Sequence, residues 1–397
     1  MNPKSLKIII FDGSFKTTTF INRLAKGFSK NHEVFIVGFN NTLENKISKI
    51  KYIDLGSSQN LINLLWQSKW LATKRLFKTG NFNSFFKTLK NIFTLNKKQL
   101  QQDNFNTVLT FIKPDIIHVQ WQSLLPWCEN ALLQQKYKFV ISQRGYQSNV
   151  RPFVNKENFE YLEKWYPKFA GFHSVSKAIA LEGDKIYSSD KKINKVVYSG
   201  FDFKILSFSE RIIKSGPLQL LSVGRPHWIK GYSNALQTCK ILKEKQIEFN
   251  YTIIGTSKRN EELLYLINDL GLQENVSLLP KMTQEEIYHK MKKASALLFP
   301  SIMEGMPNVV VEAMALGLPV ISTECGGVSE LIQPNKTGWL VPSRNPEALA
   351  NAIIDFTKTP NFKIEEIRLV ARQKVEEQHS VEKMVNGMES LYWEVIS

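Results

Sequence analysis

Four side chains in the second half of the sequence, Arg225, Lys230, Glu304 and Glu312, have the types and spacing to hold a phosphorylated sugar. The cations fall in Val223-Gly224-Arg225-Pro226-His227-Trp228-Ile229-Lys230-Gly231, between an apolar run and a helical pattern. Gly224 allows a tight turn there, and the two cations would sit on phosphates and stabilise a leaving group as its charge develops. The carboxylates fall in the stretch from Pro300 to Pro319, whose helix can be read directly: Asn308 as N-cap after Pro307, a body over Val309–Leu316, and Gly317 with Pro319 as the stop. Such a helix start exposes N–H groups at Gly305, Met306 and Val309 that suit a diphosphate. Glu312, about one turn into the helix, can then reach the vicinal hydroxyls of a ribose, and Glu304, before it, those of the sugar. Alone, an arginine on a loop also fits a solvated surface charge; the carboxylate segment later in the same series of elements gives it a partner.

These residues need strand ends to carry them. The first apolar runs predict a strand at Leu6–Phe11, a loop Asp12-Gly13-Ser14-Phe15-Lys16, a helix from about Thr18 to Phe28 and a strand at Glu33–Gly38, which is a βαβ opening. Strands follow at Asp115–Val119, Phe139–Ser142, Gly171–Val175 and Lys195–Tyr198. Leu218–Val223 begins a second series, with strands at Phe249–Ile254, Val276–Leu279, Ala296–Phe299 and Val320–Ser322 separated by helices. The fold class expected is α/β: two Rossmann-like doubly wound parallel-sheet domains, residues 1–200 and 201–378, facing a cleft, with 379–397 as a terminal helix. Ligands in such sheets sit beyond the carboxyl ends of the strands.

Composition narrows the classes. Hydrophobic residues at 43% and charged residues at 22% are ordinary for a globular protein, and 397 residues suffice for two cores. Met1–Lys7 leads into a four-residue apolar stretch, far short of a signal segment, so the expectation is a cytoplasmic protein. Cys128, Cys239 and Cys325 are too scattered for a disulfide framework or zinc cluster and read as small buried hydrophobes. The net charge of +16 is uneven: residues 1–200 carry 30 lysines and arginines against 13 acids, and residues 201–397 carry 22 against 23. Residues 55–102 contain no acid, while Lys69, Lys74, Arg75, Lys78, Lys87, Lys90, Lys97 and Lys98 interleave with tryptophans and phenylalanines. Two alternatives stay open for that stretch, an anionic membrane surface or a packed helix with a solvated lysine face. No nucleic-acid reader motif accompanies the charge, so nucleic acid is not an expected partner.

At these residues the chain resembles the GT-B-fold retaining nucleotide-sugar glycosyltransferases of glycosyltransferase family 4. The likeness covers most of residues 195–345 and rests on the Glu304/Glu312 pair, the Gly224-Arg225 to Lys230-Gly231 turn, the Gly200-Phe201-Asp202 junction, Pro300-Ser301, Cys325-Gly326-Gly327 with Glu330, and Thr337-Gly338. The resemblance implies that Arg225 and Lys230 hold the donor diphosphate, that Glu312 binds the ribose, that Glu304 contacts the transferred sugar, and that the last helix, near Val381–Val395, crosses back to the N-terminal domain. The first half departs from the family pattern. One glycine, Gly13, stands in the first loop where relatives often have two; Gln120 replaces the second histidine of a His-x-His strand end that begins at His118; Arg144-Gly145 stands where relatives often have His-Gly. Arg144 fits either an acidic or phosphorylated group on the acceptor or a structural ion pair. His118 fits either a catalytic and acceptor-side contact or a satisfied core histidine.

The nine aspartates never form Asp-x-Asp, so the expected transfer needs no metal or other cofactor, with Arg225, Lys230 and the helix start supplying the positive charge. No nucleophile with an adjacent base stands out in the donor half, which agrees with the family's usual proposal that the leaving phosphate helps deprotonate the acceptor. The favoured activity is transfer of a hexose-type sugar from a UDP- or GDP-linked donor to a glycan or lipid-linked acceptor, at the inner membrane face, in the assembly of surface polysaccharide or glycolipid. A sugar-nucleotide epimerase of the same fold and a non-catalytic nucleotide-sugar scaffold are the alternatives.

Overall fold

Among the described residues every strand pairs in parallel, so each strand must be joined to its neighbour by a crossover over a face of its sheet. The computed structural model describes residues 5–15, 18–39, 46–57, 59–209, 216–256 and 260–397. The leader residues Met1–Lys4 and the loop residue Lys16 lie outside the described residues. The elements form two compact units, one comprising Met1–Val175, Ile179–Phe201 and Val381–Ser397, the other Ser176–Ala178 and Asp202–Ser380.

Among the described residues the first unit holds seven strands: β1 (Lys7–Phe11), β2 (Glu33–Gly38), β3 (Ile50–Asp54), β4 (Ile116–Val119), β5 (Lys138–Gln143), β6 (Gly171–Ser174) and β7 (Asn194–Val196), ordered β3-β2-β1-β4-β5-β6-β7. Side chains alternate strictly between two cores. Ile9, Phe11, Val37, Ile117, Val119, Phe139 and Ile141 face one side. Ile8, Ile10, Val34, Ile36, Ile116 and Val140 face the other. Both faces are apolar because both are covered, as parallel sheets require. Helix α1 (Thr19–Phe28) belongs to the second of these cores; α2 (Leu61–Thr79), α4 (Lys97–Ile112) and α5 (Leu125–Gln134) belong to the first, and α3 (Phe82–Phe93) packs on α2 and α4.

The second unit has, among the described residues, six strands: β8 (Leu218–Val223), β9 (Phe249–Ile254), β10 (Val276–Leu279), β11 (Ala296–Phe299), β12 (Val320–Glu324) and β13 (Trp339–Pro342), ordered β10-β9-β8-β11-β12-β13. In both sheets the earliest strand is central and the order reverses beside it, between β1 and β4 and between β8 and β11. The loops leaving those paired strands diverge, and the crevice they leave is where such sheets bind ligands.

The two parallel sheets match the expected fold class, and the observed strands begin and end within one or two residues of the expected ones. Two strands were not anticipated. Ile50–Asp54 mixes Lys51 with Ile50 and Ile53, and Trp339–Pro342 spans four residues and ends on proline, so neither carries a strong period. The helix start at Asn308 needs correction. Pro307, extended at φ −80° and ψ 102°, takes the cap position, and its carbonyl accepts from the N–H groups of Val310 and Val311 at 3.0 and 3.3 Å. A cap requires extended backbone and a free carbonyl, and proline supplies both. Asn308 is therefore the first helical residue, and its side chain does not cap.

The helix Val381–Ile396 completes the second core of the first unit with Met384, Met388, Leu391, Tyr392 and Val395. It approaches so closely that a Cβ at Gly171 would lie 2.5 Å from Val395, and one at Gly27 would lie 2.3 Å from Val385. Overpacking of this kind costs about 1–3 kcal/mol. Gly171→Leu should therefore lower the melting temperature in calorimetry, while leaving any ligand-induced shift that arises in the second unit intact.

Candidate functional site

The two sequence motifs emerge side by side at the switch point of the second sheet. The loop after β8 runs from Gly224 to Gly231, where a helix begins at Tyr232; the loop after β11 runs from Pro300 to Pro307. They are stitched together by the Ile302 N–H, which donates to the Ile229 carbonyl at 2.7 Å. Gly231 makes that approach feasible: its φ is +64°, and a Cβ there would lie 2.0 Å from the Pro300 carbonyl oxygen. The left-handed backbone thus sits at Gly231 and not at Gly224, where the sequence suggested the tight turn. Gly224 instead accepts, through its carbonyl, a 2.9 Å hydrogen bond from the Tyr232 hydroxyl.

This stitching brings Lys230 Nζ to 2.6 Å from Glu304 Oε1, and Ser301 Oγ donates to the same oxygen at 3.0 Å. Both charged side chains are mostly shielded from solvent, so the pair is stronger than a surface ion pair. A third loop presses on it, since a Cβ at Gly326 would lie 2.0 Å from the Glu304 carbonyl oxygen. The Gly327 N–H donates to the Gly305 carbonyl at 2.9 Å. Arg225 is exposed on the rim of the first loop. Met306, Asn308 and Val309 are half-buried at the helix start, where the first N–H groups have no partner within the helix.

Glu312, half-buried one turn into that helix, accepts hydrogen bonds from Gln284 Nε2 at 2.8 Å and the Tyr288 hydroxyl at 3.1 Å. Sequence reasoning did not name these two donors. Their signal was available: Thr283 and Glu286 form a capping box that fixes the start of the helix Gln284–Lys293, and residues four apart then share a face. Burial raises the pKa of the Tyr232 phenol and the Cys325 thiol, with the Glu304 charge adding in the same direction, so neither is a ready nucleophile. All three cysteines are buried, as expected.

The first unit gathers a different polar set at the ends of β1, β4, β5 and β6. His118 is fully buried and its two ring nitrogens are occupied, Nδ1 by the Tyr392 hydroxyl at 2.7 Å and Nε2 by Ser142 Oγ at 2.8 Å. Ser142 Oγ also meets His173 Nδ1 at 2.8 Å, and His173 Nε2 lies 2.9 Å from the Val197 carbonyl oxygen. Burial depresses both imidazoles, His173 to about 3, so both are neutral. The proton positions then follow. A carbonyl only accepts, so His173 carries its proton on Nε2; Ser142 donates to His173 Nδ1; His118 Nε2–H donates to Ser142; and Tyr392 donates to His118 Nδ1. His118 thus presents no open nitrogen.

Arg144 donates to Gln120 Oε1 at 2.9 Å and, weakly, to Ser142 Oγ at 3.3 Å, with its guanidinium 4.2 Å above the Phe20 ring. Gln120 Nε2 and Arg144 Nε are buried with no hydrogen-bond partner among the described residues. Gly13 turns at φ +76° against Leu124. Beside it, Asp12, which the sequence did not single out, accepts from Trp121 Nε1 at 2.6 Å. Burial pushes the Asp12 carboxyl up to about 7, with the Trp121 bond and the Arg144 charge opposing.

Comparison with known proteins fits the second unit. Residues 204–374 match the family model described as glycosyl transferases group 1. The matched stretch carries Arg225, Lys230, Glu304 and Glu312. A putative colanic acid biosynthesis glycosyltransferase, WcaL, of Salmonella typhimurium (strain LT2) is 31% identical over 205 residues, covering 50% of each chain. The amylovoran biosynthesis glycosyltransferase AmsK of Erwinia amylovora is 37% identical over 192 residues, 47% of each chain. The chain thus spans about half the length of the curated relatives it matches. Solved structures show the fold: a glycosyltransferase from Rickettsia africae ESF-5 aligns with a TM-score of 0.73 at 19% identity over 99% of both chains. Anabaena Alr3699/HepE, solved with UDP and glucose, aligns with a TM-score of 0.68 at 16% identity over 97% of this chain and 98% of its own. The architecture is GT-B.

A carboxyl raised from 3.8 to about 7 on folding contributes stability that is present below pH 4 and is lost as pH rises through 7. His173, depressed from 6.5 to about 3, works in the opposite sense, losing stability as pH falls through that window. The difference between Asp12→Asn and the native protein isolates Asp12. Asparagine should gain relative stability by at most about 1.4 kcal/mol per pH unit between pH 4 and 7 and then level off, read from melting temperatures across pH 4–8.

Proposed function

We propose that this protein is a retaining glycosyltransferase that moves a hexose-type sugar from a UDP- or GDP-linked donor to a glycan or lipid-linked acceptor. The observation that carries this reading is the convergence of Lys230, Glu304 and Arg225 on two stitched loops at a sheet switch point, with Glu312 one helical turn away. Its setting is assembly of cell-surface polysaccharide or glycolipid, in the cytoplasm at the inner membrane face. Two features support that setting: the named roles of the colanic acid and amylovoran relatives, and the match to the group 1 family model itself. The binding of UDP by a structural neighbour supports a nucleotide donor.

Each residue then has a physical role. Lys230 has three N–H donors and spends one on Glu304, so it can hold that carboxylate and a donor phosphate together. Arg225, exposed and forked, closes on the diphosphate, while the N–H groups near Gly305, Met306, Asn308 and Val309 face the same charge. Gly224 leaves room for the Lys230 stem, which a Cβ there would approach to 3.3 Å. Glu304, already oriented by Lys230 and Ser301, accepts from hydroxyls of the transferred sugar. Glu312, oriented by Gln284 and Tyr288, exchanges those donors for the ribose hydroxyls. Positive charge at the leaving diphosphate comes from side chains and the helix start, so the reaction runs without a metal or other cofactor; the leaving phosphate takes the acceptor proton on the face it departs from. Gly13 and Arg144 serve the first unit's strand-end surface, where Arg144 receives an acidic or phosphorylated group of the acceptor, and His118 positions it through Ser142.

A thermal-shift panel of UDP, GDP, ADP and their sugar conjugates, with and without EDTA, should give one nucleotide winner indifferent to chelation. No shift with any nucleotide would overturn the donor-site reading. Glu312→Ala should weaken donor binding by about 1.5–3 kcal/mol in calorimetric titration, the worth of a hydrogen bond to a charged group; unchanged affinity would remove Glu312 from the ribose. Product anomers read by NMR should keep the donor configuration, and an inverted product would rule out retention.

A further inference from the structure

The helices α2 and α3 carry apolar faces that the first unit leaves uncovered. On α2, Leu64, Ser68, Leu71 and Ala72 face the core, while Ile62, Trp66, Trp70 and Phe77 share the opposite side of the helix. Trp66 is 69% exposed, Trp70 54% and Phe77 86%. On α3, Thr88 and Asn91 are the fully buried positions, with Asn91 Nδ2 donating to Asp103 Oδ2 at 3.1 Å; Phe85, Leu89 and Ile92 are half-buried beside them, and Phe82, Phe86 and Phe93 form an exposed stripe, the last 84% exposed. Exposed rings on two adjacent helices lose hydrophobic stabilisation in water, so they call for an apolar phase outside the fold.

Charge identifies that phase. Residues 55–102 contain eight lysines and arginines and no acid. Lys69 lies 5.9 Å from the Trp66 ring and Lys74 lies 4.8 Å from the Trp70 ring, so cations border the aromatic stripe. Arg75, Lys87 and Lys136, with Asp103, line a pocket of about 420 Å³ at the base of the same helices. A second copy of this chain would bring like charges face to face, and a neutral apolar partner would leave the cations unanswered. An anionic bilayer answers both: rings at the headgroup level and lysines on the phosphates. We propose that α2 and α3 form a docking surface that seats the protein peripherally on anionic lipid. Among the described residues no helix is long and apolar enough to cross a membrane.

The test is sedimentation of the intact protein with vesicles of phosphatidylcholine alone or containing phosphatidylglycerol. Binding should require phosphatidylglycerol and fall away at high salt. Lys74→Gln with Lys90→Gln should reduce partitioning roughly 30-fold. Phe77→Ser with Phe86→Ser and Phe93→Ser should abolish binding while leaving the circular dichroism spectrum unchanged, since these rings are exposed. Equal partitioning to both vesicle types, or no binding to either, would overturn the proposal. So would a dimer in analytical ultracentrifugation that the phenylalanine variant dissolves, because a second copy would then cover the face. The proposal deepens the membrane placement in the functional reading, but vesicle binding needs no nucleotide, so this surface and the donor site can fail separately.

Discussion

Parallel pairing is the constraint from which the chemistry of both units descends. Because each strand must be followed by a crossover, all strands of a sheet point their carboxyl ends the same way, and every loop that leaves them emerges on one edge. Placing the earliest strand in the middle makes the flanking crossovers run to opposite sides. That is how residues 74 positions apart, Lys230 and Glu304, come within hydrogen-bonding distance. No local sequence preference could achieve this; it follows from strand order.

The two units use that edge differently. In the second, charge is concentrated and left in part open: Arg225 is exposed, and a lysine with spare donors is tied to a single carboxylate. In the first, polarity is consumed internally, with neutral His118, Ser142 and His173 linked from the Tyr392 hydroxyl to the Val197 carbonyl in one direction of donation. A network with every proton assigned is rigid, since reversing one bond requires reversing all of them. It therefore suits a support for Arg144, and its unpartnered Gln120 and Arg144 nitrogens are the places where the support faces an incomplete polar environment.

The second unit was largely legible in the sequence because its signals are local. Glycines, prolines and cap residues mark the loops, and apolar runs such as Leu218–Val223 and Ala296–Phe299 mark the strands. What escaped were relations between distant residues. Gln284 and Tyr288 sit on a helix of their own, and nothing near them announces Glu312. Asp12 looked like an ordinary loop aspartate, and only burial beneath Trp121 makes it unusual. His118 shows the same limit, since the tyrosine that occupies its Nδ1 lies 274 residues along the chain. The basic aromatic stretch was visible by composition, but which side of each helix faces outward depends on packing against α4.

The helix Val381–Ile396 has a consequence for how the molecule is made. The first unit is discontinuous in sequence: its sheet is synthesised early, yet Tyr392, Leu391 and Met388 of its core arrive after the entire second unit. During vectorial synthesis the inserted unit has all of its strands available while its host still lacks a wall. The emerging host sheet, with Gly27 and Gly171 waiting as bare contact points, is a candidate client for chaperones until the helix Val381–Ile396 has left the ribosome.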